Sequence, residues 1–246
     1  MVADMAFAIQ WHCQQGTRTD DNRDNVGIGI RGDSILAIVL DGSTAGSASG
    51  LFAREIARRV IDWFVTTVVE ITAETVTDQL RTTHAALAAD FKKDSASYVL
   101  VYAAAALPAI VLHAGDCLLG HRDADGRLSW LLQPHTLANA LTAVPHDVLA
   151  KSDARHVLTR SFRSRSFIAP DLTMIDLRDQ TLFVATDGFW ADLDLDGQNA
   201  FVEGLFASND GERDDRGVLS ISRTQATSLT SVAGIYAPES IYLRRT

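Results

Sequence analysis

The order in which apolar periodicities change along the chain constrains its fold more than any single motif. Runs of strand character occupy residues 5–12 and 26–40, the second ending in "SILAIVL". The period then switches. In "SASGLFAREIARRVIDWFVTTVVE" apolar side chains recur at 52, 56, 60, 63/64 and 67/68, the spacing of one helix face. A second helix follows directly, with Val76, Leu80, Leu87 and Phe91 on one side. Ser47 or Ser49 is placed to cap the first of them. Strands resume with "SYVLVYAAAA" and "AIVLHAGDCLLGHR", and Asp-Gly turn chemistry in "DADGR" (123–127) joins the latter to "RLSWLLQ" as a hairpin. Beyond it the sequence predicts a helix around 147–162, strands at "LTMIDL", "TLFVAT" and "GVLSIS", a short helix over 198–207 and an edge strand at "SIYLRR". Consecutive helices inserted among strands in hairpin order are not the alternation of a parallel sheet. The pattern predicts an α+β fold, an antiparallel β-sandwich with helices outside.

No Pro/Ser/Gly-rich or charged linker interrupts the 246 residues, so 1–246 is expected to form a single domain. The net charge of -9 argues against nucleic acid as a partner, because no basic stripe is available for phosphates. A phosphorylated partner remains accessible to an acidic protein if metal ions reverse the sign locally. With two cysteines, Cys13 and Cys117, and no signal-peptide or membrane-spanning run, a reducing cytoplasmic setting without a membrane partner is expected, although the pair could cross-link.

Acidic residues stand where strands start or stop. Asp41-Gly42 ends "SILAIVLDG", Asp187-Gly188 ends "TLFVATDG", and Gly115-Asp116 interrupts "AIVLHAGDCLLG". Asp24 in "DDNRDN" and Asp214 or Asp215 in "RDDRG" complete the set. Any one Asp-Gly pair can be a plain turn. Several carboxylates at strand ends would repel one another unless a cation sat between them, and all-oxygen donors suit magnesium or manganese.

The order of these motifs resembles the type 2C metal-dependent serine/threonine protein phosphatases, bacterial in style, over roughly residues 10 to 222. "GTRTDDNRDN", "LDGSTAG", "HAGDCLLGHR", "VLTRSF", "DLRDQTLFVATDGFWADL" and "DDRGVLSI" stand where that family has its successive motifs. The resemblance implies a central antiparallel β-sandwich flanked by helix pairs. It implies a site of two, or with Asp116 three, Mn2+ or Mg2+ ions. In it Asp41 would bridge two ions, the Gly42 carbonyl would ligate one, Asp187 and Asp214 would hold the first, and Asp24 would hold the second. Arg18 would grip the substrate phosphate. The implied reaction is hydrolysis of phosphoserine or phosphothreonine in proteins by metal-activated water, with no covalent phosphoenzyme.

The sequence departs from the family pattern at particular residues. One extra residue separates Arg18 from Asp24, which leaves Asp21 as an alternative ligand, and Asp215 competes with Asp214. Arg23 brings a positive charge beside Asp24, and Ser43 stands where many members carry a histidine. Proton delivery would then fall to water, or to the more distant His113 or His135. The arginines of "SFRSRSF" are expected on a solvated face. These departures keep open a second function, a catalytically weak or inactive relative serving as a regulatory binding module. A third reading, a calcium-responsive protein, rests on "DLDLDGQNAFVE" (192–203), which matches a calcium-loop spacing. Upstream of it lies a strand rather than a helix, so the segment reads as an acidic loop with Asp196 capping the helix 198–207.

Overall fold

The computed structural model describes residues 6–104, 107–122, 126–177, 180–206, 211–224 and 229–246. Residue 5 of the first expected strand, the turn residues 123–125 and residue 207 of the last expected helix lie outside them. The chain opens with strands β1 (Ala6–Gln14), β2 (Asp24–Arg31) and β3 (Ser34–Gly42). Helices α1 (Ser49–Thr66) and α2 (Ala73–Leu87) follow, then β4 (Ser95–Ala104), β5 (Ala109–Ala114), β6 (Leu118–Arg122) and β7 (Leu128–Trp130). The remainder comprises α3 (His146–Leu149), β8 (Phe162–Arg163), β9 (Asp171–Ile175), β10 (Leu182–Ala185), α4 (Asp187–Trp190), α5 (Leu195–Val202), β11 (Arg216–Thr224), β12 (Ser231–Ile235) and β13 (Ile241–Arg245).

Two sheets make the sandwich. One runs β12-β1-β11-β10-β6-β7; the other runs β13-β2-β3-β4-β5-β9, with β8 paired to β4. All pairings are antiparallel except those of the edge strands β12 with β1 and β13 with β2. Side-chain alternation explains why β3 and β4 read as continuous apolar runs. Ile35, Ala37 and Val39 with Val99, Val101 and Ala103 enter the core between the sheets. Their neighbours Leu36, Ile38 and Leu40 with Tyr98, Leu100 and Tyr102 face the helices. A strand covered on both sides has no solvent face to make polar. The apolar stripe of α1, from Phe52 through Ile56 and Val60 to Phe64, closes that second layer.

The structure revises several local expectations. Neither Ser47 nor Ser49 caps α1; the N-cap is Ala48, without a side-chain cap bond. Asp94 does the work from the far end of the helix pair, its Oδ1 accepting from the Ala48 amide at 2.9 Å and from the Ser49 hydroxyl at 3.1 Å. No continuous helix spans 147–162. Val148 and Val157 are exposed there, so no apolar stripe exists to hold one, and only α3 and a 3-10 turn over Asp153–His156 form. Asp194, not Asp196, caps α5, accepting from the Gly197 amide at 2.8 Å. The helix therefore begins inside the segment a calcium loop would occupy, which removes the calcium-hand reading. Cys13 and Cys117 are both buried and free. Among the described residues no helix is long and apolar enough to cross a membrane.

Candidate metal centre

The strand alternation that builds the core also delivers the acids. Asp41 continues the inward stripe of Ile35, Ala37 and Val39, and Asp24 continues that of Val26, Ile28 and Ile30. Asp24 pairs in register with Asp41, which pairs in turn with Ser97 of β4. At this end of the sandwich the inner row therefore turns from aliphatic to polar. The glycines after two of the acids are there for close approach. A Cβ on Gly42 would sit 2.6 Å from the Ser49 carbonyl oxygen, and one on Gly188 would sit 2.0 Å from that of Asp215. The Asp-Gly pairs are thus places where neighbouring backbone abuts a strand end, not free turns.

Asp41, Asp116, Asp187 and Asp214 line one pocket with Arg18, Ser43, Ser97 and His156. Ser97 donates to Asp116 Oδ1 at 2.6 Å, and the indole of Trp190 donates to the Asp116 carbonyl at 2.8 Å. Asp24 lies one step beneath, 1 % exposed, accepting the Thr186 hydroxyl at 2.6 Å. Two guanidiniums meet the acids. Arg18 pairs with Asp214 and with Glu212, and the buried Arg155 donates to Asp187 Oδ2 at 2.8 Å and Asp192 Oδ1 at 3.1 Å.

The alternatives left open by the sequence separate here. Asp214 faces the pocket, whereas Asp215 accepts the backbone amides of Gly16 at 2.6 Å and Arg23 at 2.7 Å and so fixes the loop that carries Arg18. Asp21 is turned to Arg23 and Arg54. The Arg23 guanidinium is used up by Asp21 and by the carbonyls of Ser43 and Gly46, where it shapes the loop after Gly42. His113 and His135 do not line the pocket; His156 does. The sequence reading missed His156, Arg155, Ser97 and Thr186. For Arg155 and His156 the only signal was a polar stretch taken for a helix.

Burial is the main force on these carboxyls. It pushes Asp41 well above the usual carboxylate range, with Asp187, Asp24 and Asp116 adding repulsion. Asp24 is driven up likewise by burial and then Asp215, against the Thr186 hydrogen bond. Asp116 rises to about 7 through burial and Asp187, opposed by Ser97. Asp187 is raised by burial and Asp214, with Arg155 opposing. Such a group of acids holds protons or a cation, and its oxygen donors match a hard divalent ion.

No protein-family model and no curated protein matches the sequence. Solved structures do match. The serine/threonine phosphatase Stp1 from Staphylococcus aureus aligns with TM-score 0.74 at 13 % identity, covering 90 % of this chain and 97 % of that one. The PPM Ser-Thr phosphatase MsPP from Mycobacterium smegmatis, in complex with cacodylate, aligns with TM-score 0.68 at 20 % identity over 89 % and 99 %. The catalytic domain of the serine/threonine protein phosphatase PstP, in complex with two manganese ions, aligns with TM-score 0.70 at 16 % identity over 90 % and 100 %. The chain has the type 2C phosphatase fold; at these identities the likeness is one of fold.

Proposed function

We propose that this chain is a metal-dependent phosphoprotein phosphatase, one domain acting on phosphoserine or phosphothreonine in a reducing, cytoplasmic setting. One observation carries the reading: Asp41, Asp116, Asp187 and Asp214, distant in sequence, share a pocket with Arg18 at one end of the sandwich. Asp41, Asp187 and Asp214 would hold one Mn2+ or Mg2+, and Asp41, the Gly42 carbonyl and Asp24 would hold a second. Asp116 belongs to a weaker third position. Bound there, the ions would supply charge neutralisation for the phosphoryl oxygens and acidify water. Arg18 presents a planar donor fork to the phosphoryl group. His156, on the pocket wall, is the group able to return a proton to the leaving alkoxide in place of Ser43.

The test is turnover of a phosphothreonine peptide or p-nitrophenyl phosphate. It should require added Mn2+ or Mg2+, vanish in Asp41→Asn and Asp187→Asn, and lose one limb of its pH profile in His156→Ala. The binding-module reading is favoured by a specific observation: Arg155 and Arg18 already hold Asp187 and Asp214 as ion pairs, in competition with a metal. Wild-type protein inert with either metal would move the conclusion to that reading.

A further inference from the structure

A second polar cluster lies apart from the aspartate pocket. Strands β5 and β9 pair so that His113 stands directly opposite Asp171. His135, in the loop after β7, stacks on His113 with ring centroids 4.6 Å apart and planes 13° from parallel. One ring nitrogen of each histidine and a carboxylate oxygen of Asp171 lie within 4.8 Å of one another, the only such trio of ligating atoms among the described residues. Among the described residues no three aspartates of the other pocket come that close. The trio borders an open cavity of about 710 Å³.

We infer that His113, His135 and Asp171 form a site for a nitrogen-preferring transition-metal ion of the zinc type, separate from the carboxylate centre. His113 is 5 % exposed, and its Nδ1 is buried with no hydrogen-bond partner. A buried imidazole nitrogen left unpaired is costly, and a cation is a partner that this lone pair can take. Burial, with His135 adding, holds His113 at about 4, so the ring is neutral and able to ligate. His135 Nδ1 accepts from the Gly115 amide at 3.2 Å, which puts the ring proton on Nε2, 3.0 Å from Asp171 Oδ2. An entering ion takes the other neutral tautomer of His135, its proton moved to Nδ1 and the Gly115 amide bond given up, so that Nε2 is free to ligate. His135 Nε2 and Asp171 Oδ2 become co-ligands with a ring nitrogen of His113, both imidazoles stay neutral, and no net proton is released.

Arg160 stays on Asp171 Oδ1 as the outer partner that orients the carboxylate. Its positive charge disfavours a hard ion held by one carboxylate alone, and the two imidazoles favour zinc over magnesium. Bonds of roughly 2.0–2.1 Å require the donors to draw in by about an ångström and the His135 ring to turn out of its stack on His113, since imidazole lone pairs lie in the ring plane. Asp171 on the edge strand β9 and His135 on its loop are the parts able to move, and water from the open cavity completes four-coordination. The His135 backbone amide also donates to the Gly115 carbonyl at 2.8 Å, so a filled site would brace the turn that presents Asp116.

The test is titration of the full chain carrying Asp41→Asn and Asp187→Asn, which silences the carboxylate centre, with Zn2+ by calorimetry and Co2+ by visible absorption. One ion should bind, with a heat that depends little on buffer ionisation because the two imidazoles and the carboxylate carry no proton to give up. Adding His135→Gln or Asp171→Asn should weaken binding by about tenfold or more and abolish the cobalt band. Asp171 is exposed, so Asp171→Asn decides the matter if His135→Gln fails to fold. Absence of binding in the doubly substituted parent, or unchanged binding in Asp171→Asn, overturns the inference. Neither outcome bears on the phosphatase proposal.

Discussion

Asp214 and Asp215 are adjacent and chemically identical, yet their surroundings give them different work. Asp214 opens on the pocket and meets Arg18, while Asp215 receives two backbone amides from the loop that carries Arg18. Asp214→Asn should weaken Mn2+ binding by about a hundredfold or more with little change in metal-free stability, since a lost ligand costs at least what a lost supporting group does. Asp215→Asn should do the reverse. It turns an amide donor toward backbone donors and should cost about 1–3 kcal/mol in urea unfolding. Equal effects of the two on both readouts would show that the assignment is wrong. The sequence made both acids visible but could not rank them, because the distinguishing amides, Gly16 and Arg23, lie nearly the whole chain away.

The strands were legible because burial on one or both sides leaves an alternating or unbroken apolar signature, as in β3 and β4. The helices α1 and α2 were legible because their stripes face a sheet. What escaped was whatever depends on a partner remote in sequence or on a weak pattern. β12, mostly exposed and containing Gly234, offers no alternation. The start of α1 is held by Asp94, beyond the end of α2, where no local capping rule looks. Asp94→Ala should therefore destabilise the protein by about 1–2 kcal/mol, as loss of a cap does, whereas Ser47→Ala should leave it unchanged. Urea midpoints compare the two, and an effect of Ser47→Ala equal to that of Asp94→Ala would restore the local cap.

The sandwich as a body tolerates a cluster of acids at one end only under conditions that neutralise them, and this couples its stability to pH and metal. Asp41, Asp24, Asp187 and Asp116 all have carboxyls raised on folding, Asp116 to about 7, against about 3.9 in the unfolded chain. Between those values the metal-free folded state binds more protons than the unfolded one, so stability present below about pH 4 is lost as pH rises toward 7. Glu55 and Asp171, whose carboxyls are lowered, act below that window. His113, held at about 4, and His12, lowered by burial, oppose the fall within it and are outnumbered by the four acids. The Tm of metal-free protein should fall from about pH 5 to about pH 7.5, and saturating Mn2+ should restore it, more at the higher pH. A metal-free Tm that climbs across this range would mean the acids do not confront one another. The fold was readable from element order, and Asp41, Asp116 and Asp187 from their places at strand ends, whereas Asp214 was not separable there from Asp215. The ion pair of Arg155 with Asp187 was not readable, because nothing in "SDARHV" distinguishes it from a solvated stretch.

The meeting of Asp41, Asp116, Asp187 and Asp214 in one pocket is the central claim, and calorimetric titration with Mn2+ at neutral pH, wild type beside Asp187→Asn, tests it without requiring the right substrate. Wild type should take up at least one ion at the carboxylate pocket, and Asp187→Asn, still folded by circular dichroism, should lose that binding. Wild type that binds no Mn2+, or a folded Asp187→Asn that binds it unchanged, would contradict the account.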